Sequence, residues 1–307
     1  MTKMKWPDEL IFIPNSLMEQ KTTSARMDGR LCVITGATSG VGYQAANRLA
    51  EGGANLVLVC RNANKSAKVK SELESKHQTK VSVIIADFSH LSEVRKAAAA
   101  ILEEFPKIDV LINNAGIHNT RRNLTVEGHE TVFHVNHLAS YLFTRLLLPR
   151  IQASAPARII QINSQGHRFG GLDLNDLNWD KRNYHGLKGY GASKVAQLLT
   201  VWELADKLKG SGVTINAMHP GAVRTNIGMN NNLLYQWYQR FLLWPLLKDP
   251  KISGEAIYYL AAAPEMAEVS GRFFNLTIDE KPAVHALDRD LGKRVWEISE
   301  KLTSLYQ

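Results

Sequence analysis

Cysteine is almost missing from this 307-residue chain, which holds only Cys32 and Cys60. No Cys-x-x-Cys occurs, so a thiolate zinc site is excluded. Two thiols at the edges of apolar runs do not make a disulfide framework, and they read as small buried residues in a reducing compartment. Long hydrophobic runs are missing as well. Leu10-Ile11-Phe12-Ile13 is far shorter than the roughly 20 apolar residues that span a bilayer, and Pro14 interrupts it. No basic start followed by an apolar stretch and a small-residue cleavage site appears, so no secretory signal is read. The Asn-x-Ser/Thr triplets at Asn64, Asn123 and Asn275 are then chance matches. The net charge is +8, but no long Lys/Arg block accompanies it. A nucleic-acid partner is therefore not expected, and the charge is read as a solvated basic surface. Repeats and low-complexity linkers are also missing. The expectation is a soluble, cytoplasmic protein with one domain at 29–307 behind an N-terminal extension at 1–28.

What the chain does contain is an alternation. Short, β-branched, apolar runs lie at 31–34, 55–59, 81–85, 110–112, 159–162 and 214–218. Helical patterns lie at 44–51, 65–76, 91–104, 127–150 and 193–209. Runs apolar nearly throughout suit parallel strands covered on both faces. The βαβ alternation implies a single-domain, doubly wound, Rossmann-type α/β fold.

Thr35-Gly36-Ala37-Thr38-Ser39-Gly40-Val41-Gly42 joins the first strand to the first helix. Glycines there let the backbone approach a pyrophosphate, and the helix N-terminus supplies oriented N–H groups. Gly36, Thr38, Ser39, Gly40, Val41 and Gly42 are the candidates, against the plainer reading of an ordinary glycine turn. The spacing is neither Gly-x-Gly-x-x-Gly nor a Walker loop. Further along, Tyr190 stands four residues before Lys194. On a helix both side chains share a face, and a nearby ammonium favours phenolate. The pair reads as a proton donor and acceptor for a hydroxyl or carbonyl.

Four segments in one order, Thr-Gly-x-x-x-Gly-x-Gly at Thr35, Asn113-Asn114-Ala115-Gly116, Ser164 and Tyr190-x-x-x-Lys194, resemble the short-chain dehydrogenase/reductase family. The likeness runs from about Gly29 to the C-terminal helix. Val135-Asn136-His137-Leu138, the run 208–214, His219-Pro220-Gly221 and the long gap from Ser164 to Tyr190 resemble its retinol dehydrogenase-like branch. The family implies about seven strands, the seventh near 272–274, with helices on both faces. It implies catalysis by Ser164, Tyr190 and Lys194, with Asn136 holding a water that links Lys194 to solvent. A buried Asn there has a second reading, the satisfaction of backbone groups. Asn163 stands where many relatives have a second serine. Many retinol dehydrogenases carry an N-terminal membrane anchor, and none is read here.

In dinucleotide folds an acidic residue about 20 positions past the glycine loop holds the adenosine ribose. The second strand instead ends in Arg61, with Lys65 and Lys68 nearby. A guanidinium clamps a 2′-phosphate, so NADP(H) is favoured over NAD(H). The resemblance adds Asp87-Phe88 as an adenine contact, with helix capping as the other reading of Asp87. Asn114, Ala115 and Gly116 are small enough for the backbone to lie along the cofactor. Pro220 and Gly221 end the sixth strand at the ligand-binding edge, and the family places Val223 and Thr225 at the nicotinamide amide and phosphates. The glycines Gly186, Gly189 and Gly191 around Tyr190 are read as a plain turn.

A segment at 228–250 is expected to cover the substrate. Its apolar positions 234, 237, 238, 241 and 244 form a helical stripe. That implies a small lipophilic substrate such as a retinoid, sterol or long-chain aldehyde. Ordinary packing or a homo-oligomer face, and a weak membrane-surface contact through Trp237 and Trp244, stay open. His129-Glu130-x-x-x-His134 is not a zinc-protease pattern, because its second His comes one residue late; both are read as ordinary helix residues, and no metal is expected. Two other functions stay open: a non-catalytic NADP(H) sensor or scaffold on the same fold, and a methyltransferase, which leaves the Tyr-Lys pair unexplained.

Overall fold

The computed structural model describes residues 14, 15, 18–224 and 247–304. Thr225, Trp237, Trp244 and nearly all of the 228–250 segment lie outside the described residues, as does most of the 1–28 extension.

One sheet organises the chain. Its strands are β1 (Leu31–Thr35), β2 (Asn55–Cys60), β3 (Val81–Ile85), β4 (Val110–Asn113), β5 (Ala157–Ile162), β6 (Val213–His219), β7 (Phe273–Asn275) and β8 (Ile278–Asp279). They lie in the order β3-β2-β1-β4-β5-β6-β7-β8. The first seven are parallel and β8 pairs antiparallel with β7. The eighth strand exceeds the expected seven. A two-residue hairpin makes it, with Asn275 opposite Ile278, and its first turn residue, Leu276, takes φ 56°. A leucine in a left-handed turn position carries no glycine or Asn-Gly signal for the hairpin.

The helices are α1 (Gly40–Glu51), α2 (Ala63–His77), α3 (Leu91–Glu104), α4 (Thr131–Phe133), α5 (Ser140–Ala153), α6 (Gly186–Lys207), α7 (Lys251–Ala262) and α8 (Arg289–Leu302). A π-helical segment, His134–Ala139, joins α4 to α5. Alternation along each strand feeds two cores. Val33, Val57 and Leu111 pack with α3, α5, α6 and α8 on one face. Cys32, Ile34, Leu56 and Leu58 pack with α1, α2 and α7 on the other. Each fully buried aliphatic side chain, Ile34 or Leu58 for example, contributes roughly 2 kcal/mol. Cys32 and Cys60 are buried free thiols.

Part of the 1–28 segment is tied to this body. Asn15 donates to Glu280 at 2.8 Å, Lys21 N donates to Thr277 Oγ1, and Tyr258 donates to the Ala25 carbonyl. Among the described residues no helix is long and apolar enough to cross a membrane. The strand order reverses between β1 and β4. A crevice opens there, at the carboxyl ends of the strands.

Candidate active site

A cleft of about 640 Å³ occupies that crevice. The loop after β1 forms one wall. Gly36 takes φ 70° and Gly40 φ 56°, conformations that suit glycine. A Cβ on Gly42 would stand 2.4 Å from both the Asn114 amide and the Gly36 carbonyl, so the loop closes only without a side chain there. Thr35 Oγ1 accepts from Asn114 N and Ala115 N at 2.9 Å. Asn114 Nδ2 donates to the Thr35 and Gly36 carbonyls. The loop is thus clamped to the end of β4. The first turn of α1 contains no acidic residue, and Ser39 at its N-cap makes no side-chain capping bond. Free N–H groups, a positive helix end and tight glycines fit an anionic pyrophosphate.

Thr38, Ser39, Val41, Arg61, Asp87, Phe88, Ala115, Gly116, Pro220, Gly221 and Val223 all line this cleft with the glycines. Arg61 stands exposed at the tip of β2, one residue before Asn62, which caps α2 by accepting from Lys65 N. Asp87 does not cap α3. Its carboxylate accepts from the backbone and hydroxyl of Ser89 instead, and Glu127 accepts from Leu91 N at the helix start.

The opposite end of the cleft carries Ser164, Tyr190 and Lys194. Ser164 follows β5 and caps a short 3₁₀ turn, Gln165–Phe169, by accepting from Gly166 N at 3.0 Å. Tyr190 lies inside α6, which begins at Gly186 and not at Ser193. The three glycines are helical, not a turn. Each is packed too closely for a side chain: a Cβ would meet the Asn119 carbonyl from Gly186, the Tyr184 hydroxyl from Gly189, and the Gly170 carbonyl from Gly191, all within 2.7 Å. Ser193 Oγ donates to the Tyr190 carbonyl and accepts from Asn136 Nδ2, fixing α6 against the π-helical segment.

Lys194 is 4 % exposed, and its Nζ lies 5.5 Å from the Tyr190 ring centroid. Nζ donates to the Ile162 carbonyl at 3.1 Å and to Gln197 Oε1 at 3.0 Å. Burial without a carboxylate partner pulls the ammonium down to about 7. Burial also pushes the Tyr190 phenol up to about 12, and a hydrogen bond with Ser164 opposes that rise. The sequence reading expects Lys194 to lower the phenol. Burial acts on the phenol in the opposite direction. His219, at the end of β6, lines the same wall and is held down at about 4 by burial.

Asn136 stands beside the cleft and does not line it. Its side chain bonds both backbone groups of Ile117, accepting at 2.8 Å and donating at 3.0 Å. Its carbonyl accepts from Gln197 Nε2 at 2.5 Å. Sequence reasoning passes over Gln197 and gives Asn163 no role of its own. Spacing alone puts Gln197 on the face of α6 that carries Lys194. His129 and His134 also differ from expectation. His129 precedes α4, and the two imidazoles meet with their Nδ1 atoms 3.1 Å apart.

The sequence profile of the short chain dehydrogenase family matches residues 30–235. Retinol dehydrogenase 13 of Homo sapiens is 38 % identical over 291 residues, covering 92 % of this chain and 87 % of the relative. Retinol dehydrogenase 14 of Homo sapiens is 35 % identical, covering 91 % and 88 %. An uncharacterised protein of Mycobacterium paratuberculosis superposes with a TM-score of 0.74 at 29 % identity, over 93 % of this chain and 98 % of that one. The doubly wound sheet and its crevice therefore belong to an oxidoreductase of the short-chain dehydrogenase/reductase family, whose fold binds a nicotinamide cofactor. Within that family, the chain falls on the retinol dehydrogenase-like branch.

Proposed function

We propose that the protein is an NADP(H)-dependent oxidoreductase acting on an alcohol/carbonyl pair of a small lipophilic molecule. One observation carries the reading. A single cleft holds a glycine cradle and Arg61 at one end and Ser164, Tyr190 and Lys194 at the other. The dinucleotide supplies or takes up the hydride when bound. The cradle at Gly36, Gly40 and Gly42 would hold its pyrophosphate, and Arg61 would clamp a 2′-phosphate. Asp87 and Phe88 would meet the adenine. Asn114, Ala115 and Gly116 would lie along the cofactor, with Pro220, Gly221 and Val223 near the nicotinamide. Thr225 is proposed on family likeness alone.

The Ser164 hydroxyl donates to the substrate oxygen and steadies charge developing on it. In the reduction direction Tyr190 gives that oxygen its proton; in oxidation it takes the proton back. A phenol held near 12 stays protonated at neutral pH and stands ready as a donor. A cofactor of the NADPH type would bias the reaction towards reduction. Asn136 acts by fixing Ile117 and α6, beside the reacting groups.

The lipophilic substrate rests on two supports. Phe169, Leu187, Val284 and Leu287 are exposed apolar residues on the elements flanking Ser164 and Tyr190. The relatives named above are retinol dehydrogenases. The buried free thiols suit a cytoplasmic location. The test is a panel of retinoid, sterol and long-chain carbonyls and alcohols, run with NADP(H) and NAD(H) side by side. Turnover of lipophilic carbonyls preferring NADPH is expected. Tight NADPH binding with silence across the panel contradicts the reading.

A further inference from the structure

We propose that Gln197 is a positioning residue of this site, its side-chain amide spanning from the Lys194 ammonium to the Asn136 backbone carbonyl. The inference rests on the oxidoreductase reading and deepens it.

Gln197 lies one turn beyond Lys194 on α6 and is 1 % exposed. Every side-chain hydrogen bond it makes goes to this network. Oε1 accepts from Lys194 Nζ at 3.0 Å and from Asn163 Nδ2 at 3.1 Å; Nε2 donates to the Asn136 carbonyl at 2.5 Å. The two ends of the amide are not interchangeable. Two donors converge on one end and a carbonyl on the other, so the network dictates the orientation. Asn163 completes the frame. Its Oδ1 accepts from Ser164 N at 2.8 Å, and its Nδ2 also donates to the Lys194 carbonyl. One buried unit thereby connects the backbone of Ser164, the ammonium of Lys194 and the π-helical turn carrying Asn136.

The chemistry explains why an amide stands here. An ammonium has three N–H donors. Ile162 and Gln197 accept two, which fixes Nζ and leaves the third for the cleft. A neutral acceptor holds the cation without cancelling its field on the phenol. A carboxylate would cancel that field and would face the Asn136 carbonyl with a lone pair instead of a donor. The titratable groups nearby are Tyr190 on α6, His118 against the Tyr190 ring and His219 at the end of β6. Glu280 and Arg168 are paired behind His219. Both histidines are held low by burial, so neither brings a positive charge near neutrality.

Two readouts test the proposal. The first needs neither cofactor nor turnover: NMR titration of the lysine side chains in the full chain, with the Lys194 signal assigned by Lys194→Arg. Gln197→Glu is expected to raise the Lys194 midpoint by about one pH unit or more, through a direct charge. Gln197→Met, of similar length but with no amide to accept from Nζ or donate to Asn136, is expected to lower it. The second readout is the pH profile of alcohol oxidation. It should move alkaline by about one unit in Gln197→Glu. In Gln197→Met, kcat should fall about tenfold with little change in substrate KM. Circular dichroism identifies a misfolded variant, and the other variant then decides. A folded Gln197→Glu protein with an unmoved Lys194 midpoint, or a folded Gln197→Met protein with wild-type kcat, overturns the proposal. Shifted midpoints in a protein that turns over nothing support the coupling and count against the oxidoreductase reading alone.

Discussion

Ser164 follows β5 and lines the same cleft as Tyr190, where a substrate oxygen would receive both donors. Ser164→Ala is expected to lower kcat by about 10²–10³ while binding NADPH normally; steady-state kinetics beside fluorescence titration check this. Arg61→Ala is expected to raise the KM for NADPH about tenfold or more and leave that for NADH nearly unchanged, as it would if Arg61 clamped a 2′-phosphate. Equal effects on both cofactors would remove Arg61 from that role. At this scale the sequence is informative wherever chemistry demands a residue type at a fixed spacing. Tyr190 and Lys194 are legible because a phenol and an ammonium four apart in a helix must meet. Gln197 is not, because an uncharged residue three past the lysine looks like filler until its partners are in place. Asn163 is legible only as a missing serine. Its work lies in contacts to Ser164 N, Lys194 O and Gln197 that no local pattern encodes.

The connection between β5 and α6 holds Tyr190 in place through a buried anchor at its far side. Glu130 is fully buried, caps α4 by accepting from Val132 N and Phe133 N, and accepts from the Tyr184 hydroxyl at 3.2 Å. Tyr184 in turn packs on Gly189, one residue before Tyr190. Glu130→Ala removes a cap and strands the Tyr184 hydroxyl, so it is expected to cost roughly 2 kcal/mol in urea unfolding. An unchanged midpoint would contradict that. Gly189→Ala should be worse tolerated than its helical location implies, since its Cβ meets the Tyr184 hydroxyl at 2.7 Å. Strands are the most legible elements here, because parallel strands buried on both faces must be apolar along their length. The misjudged elements share a different cause. The hairpin at Leu276, the helical glycines around Tyr190 and the π-helical turn at Asn136 are all set by long-range packing.

Across the whole molecule, buried imidazoles set the response to acid. Burial holds His137 and His167 at about 3 and His134 and His219 at about 4. Their folded midpoints lie below the unfolded value near 6.5, so the unfolded chain binds the extra protons. Stability is complete above pH 6.5 and is lost as pH falls towards 4, each group contributing on the order of 1 kcal/mol per pH unit in that window. Urea midpoints at pH 7.5, 6, 5 and 4.5 check this, and a flat series would contradict it. The doubly wound sheet itself was readable from the alternation of runs. The 228–250 segment, expected from the sequence to cover the substrate, includes Trp237 and Trp244, which lie outside the described residues.

The central claim is that the Tyr190 phenol exchanges a proton with a substrate held in the dinucleotide cleft. Tyr190→Phe removes one oxygen and keeps the ring that packs on Gly166 and His118. Turnover should be measured with the best lipophilic carbonyl, alongside NADPH binding by fluorescence. The account predicts loss of turnover with NADPH affinity largely retained. Turnover close to wild type in that folded variant would contradict it.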